Sequence, residues 1–427
     1  MEDLSCLAGR QWISSQEDFS TNAALTKISA IQQGHCMRCG ARAYAKLPNG
    51  KFYCRDCIEL GRIVEGDLLV RNLELAEFSK MKNGGLTWHG SLTKRQAAVS
   101  CELVKNFNQR ADTLVHAVTG AGKTEMLFAA IAECISQGKR SCIATPRIDV
   151  VNELYPRFKA AFNTIKIGKY HGKEHHEPRL DQLIICTTHQ LMKFYHAFNL
   201  LVIDEVDSFP YVENTQLHFA AKNAVKVDGV RTYLTATPTN DLLEKVKKKQ
   251  LKILCLNRRF HGGLLPVPRA LFFSRPFLLK QKINPKLLKE ISTVIKSGHQ
   301  LLLFVPRVEQ IPIYVNALKD DAQFSSVIVE GVHAMDKNRL AKVENFRRGK
   351  SQLLVTTTIL ERGVTFKHVW VIVVQADDEI YTSASLVQIA GRVGRAKDDP
   401  DGLVLFCYRK YTQNIRNALK QIREMNK

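Results

Sequence analysis

Residues 111–135, ADTLVHAVTGAGKTEMLFAAIAECI, constrain the fold of this chain more than any other stretch. An apolar run, Leu114–Ala117, leads into a glycine turn and then into an amphipathic segment. Strand, loop and helix in that order make a phosphate-binding loop of the pattern G-x-x-x-x-G-K-[ST]. Ala117 stands where the pattern has its first glycine, and Gly120, Gly122, Lys123 and Thr124 supply the rest. The N–H groups of Thr119, Gly120, Ala121, Gly122, Lys123 and Thr124 are expected to cradle phosphate oxygens. Lys123 would hold the β- and γ-phosphates, Thr124 would ligate Mg²⁺, and Glu125 closes the nucleotide-binding stretch. A bare glycine-rich turn is the alternative, and the flanking strand and helix weigh against it.

A second half of the site follows about eighty residues later. In NLLVIDEVDSFP (199–210) an apolar strand ends in Asp204-Glu205. Asp204 can bind Mg²⁺ through water, and Glu205 can polarise the water that attacks the γ-phosphate. On its own an acidic strand end is merely solvated; after a phosphate loop it is the acidic partner. Upstream, LTKRQAAV (92–99) places Gln96 where an amide can read adenine. ATPRIDVVNEL (144–154) and CTTHQLMKF (186–194) read as strand-then-helix segments, with Thr145, Arg147, Thr187 and Thr188 at their turns. Such side chains suit a phosphate backbone. YLTATPT (233–239) ends a strand in Thr235-Ala236-Thr237, placed to sense hydrolysis.

The α/β rhythm repeats after residue 300 without a phosphate loop. QLLLFVPR (300–307) is a strand, and AKVENFRRGKSQLLVTTTILERGVTF (341–366) reads as helix, strand and polar turn. SLVQIAGRVGRAKDDPDG (385–402) is expected to carry Arg392 and Arg395 on one face of a helix. Arginines supplied by a second domain would act on the nucleotide phosphates. Gln388, Gly391 and Gly394 favour close docking over a surface basic helix.

A separate signal lies at 36–57, CMRCGARAYAKLPNGKFYCRDC. Cys36/Cys39 and Cys54/Cys57 are two C-x-x-C pairs flanking a hairpin that turns at Pro48-Asn49-Gly50. Four thiolates so arranged close a tetrahedral Zn²⁺ site of structural type, with iron–sulfur ligation the weaker alternative. Cys6, Cys101, Cys134, Cys142, Cys186, Cys255 and Cys407 read as buried thiols, and a histidine cluster (His171, His175, His176) as a loop.

Charge points to the partner. The chain carries a net charge of +21, which suits a polyanion or an anionic surface. Residues 245–289 hold 13 Lys and Arg with no Asp or Glu. Their cations are assigned to nucleic acid; the interleaved Phe260, Phe272, Phe273 and Phe277 are weighed as core residues against base-stacking platforms, with core preferred. The opening MEDLSCLAGRQW lacks an apolar segment and no run approaches the ~18–20 apolar residues of a membrane span. A cytoplasmic, non-integral protein is therefore expected.

Taken in order, these segments resemble superfamily 2 helicases of DExD type over residues ~86–427. VTGAGKTE is similar to the loop of PriA, and the added four-cysteine module resembles the late competence family ComFA. That resemblance implies two tandem RecA-like domains (α/β, parallel sheets) behind a zinc-ribbon module: 1–85, 86–262 and 263–427. ATP would bind in the cleft between the two domains. It implies a nucleic-acid-stimulated ATPase using ATP, Mg²⁺ and Zn²⁺. Lys123, Thr124, Asp204, Glu205, Gln388, Arg392 and Arg395 would be its ATPase residues, with Gln96 reading adenine. Gly363 and Thr365 would link ATP to nucleic acid, and Thr145, Arg147, Thr187 and Thr188 would grip the strand. The implied activity is single-stranded DNA translocation that imports transforming DNA, beside DNA-uptake proteins at the inner face of the membrane, with homo-oligomers an open case. A duplex-unwinding helicase of replication restart and a non-enzymatic zinc-stabilised adaptor are the alternatives.

Overall fold

The computed structural model describes residues 4–14, 24–74, 76–172, 179–396, 398–399 and 402–427. His175 and His176 lie outside these. The chain divides into two compact units: the residues up to His116 with Lys123–Cys255, and Ala117–Gly122 with Leu256–Lys427.

The first unit is built on a seven-stranded sheet. Its spatial order is Ile167–Tyr170, Leu183–Thr187, Ser141–Thr145, Phe198–Asp204, Val225–Thr235, Thr113–Ala117, Lys252–Leu256. The first six of these strands run parallel. Strands such as LIICT and FNLLVID are apolar on both faces, as a parallel sheet covered by helices requires. The helices are capped by the residues expected of them. Thr93 and Gln96 form a reciprocal capping box at the start of Lys94–Asn108, and Thr239 caps Asn240–Lys247.

Parallel register puts three strand ends at one edge. Thr235 pairs with His116, and Leu234 pairs with Asp204. The chain therefore leaves Thr113–Ala117 for the phosphate loop beside both Asp204-Glu205 and Thr235–Thr237. Ligands of open α/β sheets gather outside the carboxyl ends of the strands.

The N-terminal segment shares this unit's core. It forms a sheet of order Gln11–Ser14, Leu68–Asn72, Leu25–Ser29, all antiparallel. Beside it lies a second antiparallel sheet, Ala45–Lys46, Phe52–Cys54, Ile63–Val64. Cys36, Cys39, Cys54, Cys57, Ile63 and Leu69 belong to one apolar cluster with Leu191, Phe194, Phe198 and Leu217. Polar bonds reinforce it. Gln11 Nε2 donates to Met192 O at 2.9 Å, Tyr195 N–H donates to Gly9 O at 2.9 Å, and Arg140 Nη1 donates to Ala8 O at 2.9 Å.

The second unit holds a six-stranded sheet that is parallel throughout. Its order is Arg269–Phe272, Val404–Tyr408, Val369–Val373, Gln300–Phe304, Leu353–Thr356, Val329–Val332. Pro285–Lys296, Gln310–Lys319 and Gln413–Met425 are among its helices.

Several expectations change. Cys101 and Cys255 are exposed and Cys6 is partly so; only Cys134, Cys142, Cys186 and Cys407 are buried thiols outside the four-cysteine set. Helix and strand have outward faces, and these two positions fall on them. His171, expected in a loop, is buried and directly follows the strand Ile167–Tyr170. The helix expected after the strand Leu183–Thr187 is present as a 3₁₀ helix, Thr188–Lys193. The four phenylalanines split: Phe273 and Phe277 are core, while Phe260 and Phe272 are half exposed.

Candidate functional site

In the first unit, Lys123 opens the short helix Lys123–Met126 directly after the loop. Its Nζ lies 4.0 Å from Asp204 Oδ1. Burial pushes the Asp204 carboxyl up to about 6; Lys123 pulls it back, while the charges of Glu205 and Asp207 add to the rise. A divalent cation at this carboxylate would restore its charged form. Glu205 adopts a left-handed backbone, φ 54°, and its N–H donates to Asp204 Oδ1 at 2.9 Å. Glu205 Oε2 is buried with no hydrogen-bond partner among the described residues, as an acceptor awaiting a water would be. Thr124 is buried behind Lys123, and Glu125 bonds Arg157 Nη2. The chemistry of this donor set, an ammonium, a hydroxyl and two carboxylates beside a glycine loop, fits Mg²⁺ with a polyphosphate.

Sequence reasoning missed Asp207 and His116. Asp207 Oδ1 accepts from Thr235 Oγ1 at 2.7 Å and its Oδ2 accepts from Thr237 Oγ1. The TAT turn is thus clasped to the acidic strand end by a carboxylate, the last letter of DEVD. His116 Nε2 lies 3.1 Å from Ala236 O, and burial holds its imidazole below the ordinary value. Neutral, with its proton on Nε2, it donates to that carbonyl and ties the loop's strand to the same turn. Only the pairing of non-adjacent strands reveals either residue.

Gln96 is buried, and its Oε1 accepts from Thr93 N–H at 2.9 Å, so the capping box engages the amide expected to read adenine. Thr145 pairs with Thr187 across adjacent strands, which brings Thr145, Thr187 and Thr188 to one edge. The hydroxyls of Thr145 and Thr188 are buried without hydrogen-bond partners among the described residues. Arg147 occupies the N-cap position of Ile148–Ala161.

In the second unit, Gly120 has φ 78° and Gly122 φ 72°, the left-handed backbone that a phosphate loop uses and that glycine tolerates. Ala117 has no exposed surface and ends its strand. Arg392 and Arg395 are not on a helix. Ser383–Ala390 stops at Gly391, and Gly394 at φ 68° turns the chain away. Arg392 is buried, its Nε donating to Glu361 O at 3.0 Å and its Nη1 to Val364 O. Arg395 Nε donates to Gly391 O at 3.1 Å and its Nη1 to Thr365 Oγ1 at 3.2 Å. Both arginines therefore grip the turn that contains Gly363 and Thr365. Gln388 is buried on the helix.

The four cysteines form a separate centre. Their sulfurs lie within 4.8 Å of one another and all four residues are buried. Cys36 Sγ–Cys57 Sγ is 3.8 Å and Cys39 Sγ–Cys54 Sγ 3.5 Å. A tetrahedron with Zn–S of about 2.3 Å has edges of about 3.8 Å, so the set fits zinc. Arg38 locks the two knuckles together. Its Nε donates to Cys57 Sγ at 3.3 Å and its Nη2 to Gly61 O at 2.6 Å.

The chain is similar to known proteins. Residues 93–246 match the family described as DEAD/DEAH box helicase, and 283–397 the helicase conserved C-terminal domain. Competence protein ComFA of Streptococcus pneumoniae is 42% identical over 397 residues, covering 92% of this chain and 90% of that protein. Competence protein ComFA of Bacillus subtilis is 40% identical over 401 residues, covering 92% and 85%. S. cerevisiae Dbp5 bound to RNA and ADP BeF3 superposes with a TM-score of 0.58 at 16% identity, covering 79% of this chain and 88% of that one, a likeness of fold.

Proposed function

The chain belongs to the family of the competence protein ComFA, with the two domains of a helicase-like ATPase, and from that premise we propose that it is an ATP-driven translocase on single-stranded DNA. Its work would be to draw transforming DNA inward during natural competence. One observation carries the reading furthest: Lys123, Asp204, Glu205 and the Thr235–Thr237 turn stand at one sheet edge. Lys123 and the loop amides bind the polyphosphate. Asp204 and Thr124 would hold Mg²⁺, which would supply positive charge beside the polyphosphate. Glu205 orients the attacking water. Arg392 and Arg395 respond to the phosphates and carry the change to Gly363 and Thr365. Thr145, Arg147, Thr187 and Thr188 grip the strand, helped by the exposed cations of residues 245–289.

Zn²⁺ would be held by Cys36, Cys39, Cys54 and Cys57, where it has a structural role. We assign 1–85 to that module and 86–262 and 263–427 to the two motor domains. Among the described residues no helix is long and apolar enough to cross a membrane; the reading places the protein in the cytoplasm, peripheral at the inner face of the cell membrane. The test is ATP turnover with and without single-stranded DNA, for wild type and Lys123→Ala. DNA stimulation that disappears in the variant supports the reading; absent stimulation, or an unaffected variant, defeats it.

A further inference from the structure

We propose that Arg259 is an additional phosphate ligand of the nucleotide, supplied by the segment that leads into the second unit's sheet. This rests on the ATPase reading above and deepens it. The starting observation is burial. Of the 13 Lys and Arg in residues 245–289, eleven are exposed and Arg258 is partly so. Arg259 alone is buried, at 2% exposure. It therefore leaves the basic band that the sequence assigned to nucleic acid.

Arg259 meets no carboxylate among the described residues. Its Nη1 donates to the carbonyls of Val393 and Gly394, and its Nη2 to Gly391 O at 3.4 Å. Its Nε has no partner among the described residues. A buried cation without a counter-ion is costly, and an arginine keeps its charge at neutral pH. Burial, with the Arg395 charge added, pushes this guanidinium down to about 9. An anion placed there would remove both burdens at once.

The position of the unfilled donor names the anion. A Cβ built on Gly120 would stand 3.8 Å from Arg259 Nε and 3.7 Å from its Cδ. The two segments are fastened by main-chain bonds: Phe260 N–H donates to Gly120 O at 3.0 Å, and Val118 N–H to Leu256 O at 3.1 Å. Beside Gly120, the Thr119 hydroxyl is also buried without a partner among the described residues. Two orphaned donors thus flank the central glycine of the phosphate loop. A guanidinium presents its donors as a planar fork that matches phosphate oxygens. Because the same guanidinium holds the carbonyls of Gly391–Gly394, a phosphate that draws it away also loosens the turn bearing Arg392 and Arg395.

The experiment compares the full-length wild type with Arg259→Ala and Arg259→Lys. Affinities for mant-ATP and mant-AMP with Mg²⁺ are read by fluorescence, alongside melting temperature without nucleotide. A lost charged hydrogen bond is worth about ten- to a hundred-fold in affinity. Arg259→Ala is expected to weaken mant-ATP by that factor, to leave mant-AMP within about two-fold, and to raise KM for ATP more than it lowers kcat. Arg259→Lys should regain part of the affinity. Equal weakening of both nucleotides reads as a purely structural residue and overturns the proposal, as does unchanged mant-ATP binding. A wild type that binds and hydrolyses no ATP would sink the ATPase reading instead, a distinct outcome.

Discussion

The clasp between Asp207 and the TAT turn makes a quantitative claim. Asp207 accepts from two buried threonine hydroxyls, Thr235 Oγ1 and Thr237 Oγ1. Hydrogen bonds to a charged group contribute about 1.5–3 kcal/mol each. Thr237→Val removes one donor at nearly constant shape and should cost about 1.5–3 kcal/mol. Asp207→Ala removes the acceptor of both bonds, nominally about 3–6 kcal/mol. It also removes a negative charge that helps raise the Asp204 carboxyl, so the lower end is expected. Thr237 is the cleaner probe, because Thr235 Oγ1 additionally accepts from Thr237 N–H at 2.9 Å. In the double variant the Thr237 bond is already gone, so its cost should match Asp207→Ala to within about 0.5 kcal/mol. The coupling energy is then about 1.5–3 kcal/mol, read from urea unfolding of the four proteins. Simple additivity of the two single costs would refute the clasp. ATP turnover adds a second reading: Thr237→Val should lower it while mant-ATP affinity holds, because the hydroxyl touches Asp207 and not the phosphate loop.

Chelation of zinc should loosen more than residues 36–64. Structural zinc contributes about 10–16 kcal/mol, and Cys36 and Cys57 share a cluster with Leu191, Phe194 and Phe198; hydrogen exchange is expected to rise at 188–198 as well, and a rise confined to the module would contradict the shared core. Maleimide should label Cys101 and Cys255 in the native zinc-bound protein and spare Cys36, Cys39, Cys54 and Cys57 until a chelator is added; early labelling of the four would count against a closed metal site. Arg140→Ala should destabilise the first unit by about 2–6 kcal/mol, because the buried carbonyls Ala8 O and Asp181 O lose their donor; a shift in unfolding midpoint worth under about 1 kcal/mol would show that this link is dispensable. Glu205→Gln should bind mant-ATP normally and lose most turnover; undiminished turnover would remove Glu205 from the water-orienting role.

Local chemistry determined much of this protein. A strand, glycine loop and helix depend on neighbouring residues only, so the phosphate loop was legible in VTGAGKTE. The same holds for DEVD at a strand end and for two C-x-x-C knuckles around a hairpin, which reappear with sulfurs 3.5–3.8 Å apart. Apolar runs of strand length announced buried strands, and the helicase resemblance implied their parallel pairing. The tertiary structure decided what depends on distant partners. Gln96 looked free to read a base, yet its own helix start engages it. Arg392 and Arg395 looked like a helical face, but the helix Ser383–Ala390 ends before them. Asp207 and His116 acquired roles only when strands far apart in sequence paired in register. Arg259 counted as one more cation in a basic run, and burial alone set it apart. Motif spacing fixes which atoms one segment can offer; packing of non-adjacent segments decides which of them are already engaged and which remain for a ligand.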